Sequence, residues 1–208
     1  MILAHLHSLV IQKTKDRDFL EVNRTEIEQI CKILIQAFQA GNRLYLCGNG
    51  GSCADADHIA AEFIKDFRIK RKRAKGTAFS HSILWRLQEG LPAVSLSGLA
   101  NVTAIANDMD YSLIYAQQLY IYAKKGDVLF LLSASGQSSN IVNAAYTARE
   151  IGVYTIGFTG NQKENRLRSI CRRTVVFKGQ TAAAVQEGYM QLLHTVCEIV
   201  ESAIFNNS

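Results

Sequence analysis

Short unbroken apolar runs alternate along this chain with longer stretches in which apolar residues recur at three- and four-residue spacing. The short runs, residues 43–47, 93–96, 127–132, 153–158 and 174–177, predict strands. Their apolar character does not alternate, so they are expected to be buried on both faces, as in a parallel sheet. The longer stretches, 52–67, 99–106, 112–123, 140–151 and 182–204, predict helices between and after them. The last carries Val185, Leu192, Leu193, Val196, Ile199 and Val200 on its apolar side. Ahead of the first strand, Ile27, Ile30, Cys31, Leu34 and Phe38 form one stripe of a further helix. Thr25 and Glu28 fit a capping box at its start, and Gly41 is placed to stop it. Residues 2–18 also read as helical. Residues 76–90 read least clearly, with a short helix expected around 83–87, and the only proline, Pro92, opens the second strand. Strands separated by helices predict an α/β fold, a doubly wound five-stranded parallel sheet flanked by helices and flavodoxin-like. The expectation is a single domain over 1–208 with a helical N-terminal segment, 1–40. No internal repeat or low-complexity tract interrupts it.

Composition changes this picture little. At 208 residues and 48% hydrophobic, the chain can bury a core without disulfides or metal. Five cysteines, an odd number with no C-x-x-C pair, point to reduced thiols, a cytoplasmic setting and no zinc knuckle. No secretory signal or membrane-length apolar run is present, so no membrane partner is expected. Much of the net charge of +5 falls in one run, Arg68, Lys70, Arg71, Lys72, Arg73 and Lys75. It reads as a solvated loop, the alternative being a phosphate- or nucleic-acid-facing arm.

Chemistry concentrates at two turns. The first strand ends in Gly48-Asn49-Gly50-Gly51-Ser52, and the next helix carries His58 and Glu62 at i and i+4, on one face. Glycines allow close approach of a ligand to the backbone, and a helix start attracts anions. A phosphate cradle with an acid/base pair beyond it is the first expectation; an ordinary glycine turn is the bland one. The second turn, Ser133-Ala134-Ser135-Gly136-Gln137-Ser138-Ser139-Asn140, places four serines within seven residues at a strand end. Serine is a common helix cap, so one alone would mean little. Together they suit a dianionic phosphate. Neither turn is a P-loop, since no Gly-Lys-Ser/Thr follows. Cys53 stands where a dinucleotide fingerprint needs its third glycine, so no nucleotide cofactor is expected.

With these pieces assembled, the chain resembles the sugar isomerase (SIS) domain family, and within it the phosphoheptose isomerase branch. The resemblance rests on Cys47-Gly48-Asn49-Gly50-Gly51-Ser52, His58-x-x-x-Glu62, Ala106-Asn107-Asp108, Gly126-Asp127-Val128-Leu129, Ser133-x-Ser135-Gly136-x-Ser138, and Gln186-Glu187-Gly188 with His194, in the family's order. It implies an enzyme interconverting sedoheptulose 7-phosphate and a heptose 7-phosphate through an enediol. Asn49, Gly50, Gly51, Ser52, Ser97 and Gln186 would contact the sugar, and Ser133, Ala134, Ser135 and Ser138 the phosphate. Glu62 would be the base and His194 its acid/base partner. The resemblance further implies a cytoplasmic homotetramer with sites shared between subunits, a sugar phosphate as small-molecule partner, and no nucleic acid. His58, Glu62, Gln186 and His194 match the zinc ligands of some members. Gln186 and His194 are eight residues apart, ~12 Å along a straight helix. One ion reaches both only if the helix bends, with Gly188 the candidate, or if two chains contribute.

The chain also departs from the family pattern. Gly98 stands where members commonly carry Asp, Ala183 where a polar residue is usual, and Lys65-Asp66 where an arginine is expected, with Arg68 a substitute. Residues 70–90 form a longer segment than usual. Two other readings remain: a non-catalytic scaffold like the relative that binds the replication initiator, and a sugar-phosphate sensor. The former lacks counterparts of Glu62 and His194, and the latter normally carries a DNA-binding domain; this chain has both residues and no helix-turn-helix beside the sheet.

Overall fold

The computed structural model describes residues 2–71 and 80–205. After a short 3-10 turn (Ile2–His5), helices α1 (Leu6–Thr14), α2 (Asp18–Val22) and α3 (Arg24–Gln39) precede strand β1 (Leu44–Gly48). Then follow α4 (Gly51–Ile64), a 3-10 turn (Ser82–Arg86), β2 (Ala93–Ser95), α5 (Leu99–Asp108), a 3-10 turn (Tyr111–Leu113), α6 (Ile114–Tyr122) and β3 (Val128–Ser133). The remainder is α7 (Ser139–Glu150), β4 (Tyr154–Gly160), α8 (Leu167–Ile170), β5 (Arg173–Phe177) and α9 (Ala182–Phe205). All pairings are parallel, in the order β2-β1-β3-β4-β5. This is the five-stranded doubly wound sheet that the apolar runs predict.

Both faces are covered, which is why the strands read as continuous. From β1 and β3, Leu44, Leu46, Val128, Phe130 and Leu132 pack into one core with α3, α4 and α9. The intervening Tyr45, Cys47, Leu129 and Leu131 pack into a second core with α6 and α7. The stripes of α3 and α9 are buried as expected. Gly41 and Gly152 end α3 and α7 at positive φ. Behind them Asn42 N–H reaches Ala37 O and Val153 N–H reaches Ala148 O, the two Schellman closures.

Three expectations are corrected. The capping box at Thr25 does not form: α3 starts two residues earlier than that cap implies, Asn23 holds the cap position, and its amide donates to Phe19 O instead. Glu28 is taken by His7, 2.8 Å away. Gly188 does not interrupt α9; a Cβ there would lie 2.9 Å from the Phe177 ring, so the glycine serves close packing on β5. The basic run is not uniformly solvated. Arg68 and Lys70 are exposed but Arg71 is buried, while Lys72, Arg73 and Lys75 lie outside the described residues.

Candidate active site

Both turns fall where the topology places ligands. The strand order reverses direction between β1 and β3, and the two loops leave the carboxyl ends of those neighbouring strands. A reciprocal amide pair ties them together. Asn49 donates to Asn140 Oδ1 (2.9 Å), and Asn140 donates back to Asn49 Oδ1 (2.8 Å). Gly50 turns the chain into α4 at φ +56, a region open to glycine and strained for other residues. Gly48 must be glycine for a different reason, because a Cβ would sit 2.4 Å from the Ser52 carbonyl oxygen. Tyr115 fastens the same corner by donating to Gly48 O.

In the serine loop, Ser133 Oγ accepts from Gly136 N–H and Ser135 Oγ from Gln137 N–H, each at 3.2 Å. Ser138 occupies the cap position of α7 without a side-chain cap bond, so capping does not account for this serine. Ala134 sits between, half-buried. A hydrogen bond from a serine hydroxyl to a charged group contributes ~1.5–3 kcal/mol. We expect Ser135→Ala to bind a sugar phosphate ten- to a hundred-fold more weakly, on the order set by that energy. Equal calorimetric affinity in parent and variant would remove Ser135 from the phosphate site.

The acid/base residues meet between α4 and α9. These helices run parallel, and polar contacts march along both in step. Gln186 donates to Ser52 Oγ (3.2 Å). Tyr189 donates to Ser52 (2.9 Å) or Asp55 (2.7 Å), and burial raises its phenol well above the usual value. His58 and His194 approach through their Nε2 atoms at 2.8 Å, with rings perpendicular. Glu62 Oε1 lies 3.8 Å from His58 Nε2, and Lys65 donates to Glu62 Oε2 at 2.8 Å. Glu62 is buried. Burial, and then the neighbouring His58, hold the His194 imidazole below its ordinary value, against the pull of Glu62. Phe67 stacks on the opposite side of His194, ring centres 5.9 Å apart.

The four residues matched to a zinc site do not converge within one chain. Gln186 serves Ser52, about 12 Å along the α9 axis from His194. His58 and His194 are hydrogen-bonded to each other, and the Lys65 ammonium occupies one side of Glu62. Among the described residues no three His, Cys, Asp or Glu side chains form a group able to hold a metal ion. Ser97 donates to Asp57 at the end of β2, beside Gly98, away from the serine loop's own contacts.

Several contributors were not foreseen in the sequence. Asn140 was hidden as an apparent part of the helix start. Tyr189 lies three residues beyond Gln186 and therefore on its face, a spacing that could have disclosed it.

No helix among the described residues is long and apolar enough to cross a membrane. Residues 13–160 match the SIS domain. A phosphoheptose isomerase of Clostridium acetobutylicum is 39% identical over 92% of this chain and 87% of its own length. One from Synechocystis sp. is 33% identical over 86% and 84%. The solved structure of a phosphoheptose isomerase from Neisseria gonorrhoeae superposes with a TM-score of 0.74 at 24% identity, covering 93% of each chain, and so shares the fold. By fold, motif and sequence, this chain belongs to the SIS domain family, in the branch of the phosphoheptose isomerases.

Proposed function

We propose that this chain interconverts an aldose and a ketose phosphate, with sedoheptulose 7-phosphate and D-glycero-D-manno-heptose 7-phosphate as the pair. The observation that carries the reading is the meeting of Glu62, His58 and His194 from two helices, in a chain whose relatives bear the name phosphoheptose isomerase. Isomerisation needs one group to move a carbon-bound proton and another to serve the oxygens. Glu62 removes the proton from the ketose carbon beside the carbonyl while His194 protonates the carbonyl oxygen, giving an enediol. Glu62 then delivers the proton to the neighbouring carbon as the other hydroxyl gives its own to His194, which restores both groups. Of the paired Nε2 atoms of His58 and His194, one donates and the other accepts, so His58 fixes which form His194 presents. The test is an isomerase assay on C6 to C8 sugar phosphates. Turnover is expected with a seven-carbon substrate, and none with any member of the panel would favour a scaffold.

We further propose that the working site is shared between copies in a homo-oligomer, a tetramer. His58 and Glu62 lie ~10 and ~16 Å along α4 from its first residue, which sits beside the serine loop. A phosphate held in the serine loop of one copy is better served by Glu62 of another. Ile64, two residues past Glu62, is 55% exposed, as are Leu99 (77%), Tyr120 (64%) and Ile121 (63%), an amount of open apolar surface that suits a covered face. Light scattering at micromolar concentration is expected to give a multiple of 23.1 kDa; a monomer would remove the shared-site proposal.

A further inference from the structure

The segment leaving α4 is held by a buried ion pair that the reaction scheme does not use. Arg71 and Glu201 expose 1% of their side chains each, with Arg71 Nε 2.9 Å from Glu201 Oε1. Neither spends its remaining hydrogen-bonding capacity on solvent. Glu201 accepts the backbone N–H groups of Phe67 (2.8 Å), Arg68 (2.7 Å) and Ile69 (3.2 Å). Arg71 donates to the carbonyls of Phe63 (2.7 Å) and Glu62 (3.2 Å), and its guanidinium lies 4.6 Å from the centre of the Phe205 ring. The last carbonyls of a helix have no partner within it, so Arg71 takes the place of a cap at the end of α4. Glu201 lies seven residues, about two turns, beyond His194, and so on the same side of α9.

We propose that Arg71 and Glu201 are positioning residues for the acid/base cluster. The inference rests on the catalytic reading of Glu62 given above. The guanidinium fixes the backbone of Glu62 from one side. The carboxylate fixes the N–H of Phe67, whose ring stacks on His194. One ion pair thus sets the separation between base and imidazole from the two helices that carry them. An arginine is required, because only its planar fork reaches two carbonyls and a carboxylate together; lysine keeps the charge and loses that geometry.

The test compares Arg71→Lys and Glu201→Gln with the parent by steady-state kinetics on the seven-carbon phosphate. Displacing a reacting group by about 1 Å costs on the order of a hundredfold in rate. A ten- to hundredfold fall in kcat, with KM within twofold because the serine loop is untouched, is expected in variants that remain folded. An unchanged kcat in either folded variant overturns the proposal, whereas an unchanged kcat in Glu62→Gln overturns the catalytic reading instead. Two readouts do not depend on turnover. The NMR signals of the His58 and His194 rings are expected to move in Arg71→Lys while those of His5 and His7 stay, and fixed signals at all four count against positioning. In the parent, should both variants fail to fold, the amides of Phe67, Arg68 and Ile69 are expected to exchange as slowly as the interior of α9; exchange at the rate of an open loop overturns the bracket.

Discussion

Glu62→Gln is expected to lower turnover by ~10²–10⁴-fold, the usual contribution of a general acid–base group, while leaving sugar-phosphate affinity close to that of the parent. The glutamine keeps the size of the side chain and can still contact Lys65 and His58, but it has no basic oxygen with which to take a proton from carbon. The phosphate site proposed in the serine loop lies at the end of β3, on a different strand from the one that leads into α4, so ground-state affinity and proton transfer should separate. Deuterium exchange from solvent into the substrate reads the step directly. Exchange at the parental rate in Glu62→Gln would assign the base elsewhere. His194→Ala is expected to lower turnover as well, with a smaller effect on binding, because phosphate contacts are expected to dominate ground-state affinity.

Gly48→Ala should produce a large loss of stability. The new Cβ would meet the Ser52 carbonyl oxygen at 2.4 Å and its carbon at 2.5 Å, both backbone atoms inside α4. No rotamer change relieves such a contact, so α4 must slide along the sheet. Overpacking of a rigid site costs up to ~3 kcal/mol and occasionally more, which for a chain of this length lowers Tm by roughly 6–12 °C. Gly51→Ala is the control: its Cβ would meet only the movable amide end of Gln186, at 2.8 Å. A thermal melt by circular dichroism should place Gly51→Ala near the parent and Gly48→Ala far below. Equal melting temperatures would mean that the β1–α4 corner yields more easily than its contacts imply.

The strands were legible because burial on two faces writes itself as an unbroken apolar run, as in Val128 to Leu132. The two turns were legible because glycine and serine cluster where a strand gives way to a helix. Features that depend on one long-range partner were not. Arg71 looked like one more cation in a basic run, and nothing nearby announces Glu201, 130 positions away. The cue lay at the other end: Glu201 follows directly on Ile199 and Val200, which lie on the apolar side of the last helix. Thr25 misled because a capping box is a local pattern, while Glu28 had a better partner in His7 on α1. Gln186 stands apart from His58, Glu62 and His194 within one chain for a geometric reason already present in its eight-residue spacing from His194.

The parallel seam between α4 and α9 joins residues that are 134 to 137 positions apart in sequence. Strands β2 to β5 all lie between its two halves. Closing so long a loop carries an entropic cost before any seam contact compensates it, and non-local pairing is slow for that reason. In refolding, the helical signal and the sheet can return while base and imidazole are still far apart. Catalytic competence then returns no earlier than the docking of α9, however fast the secondary structure grows.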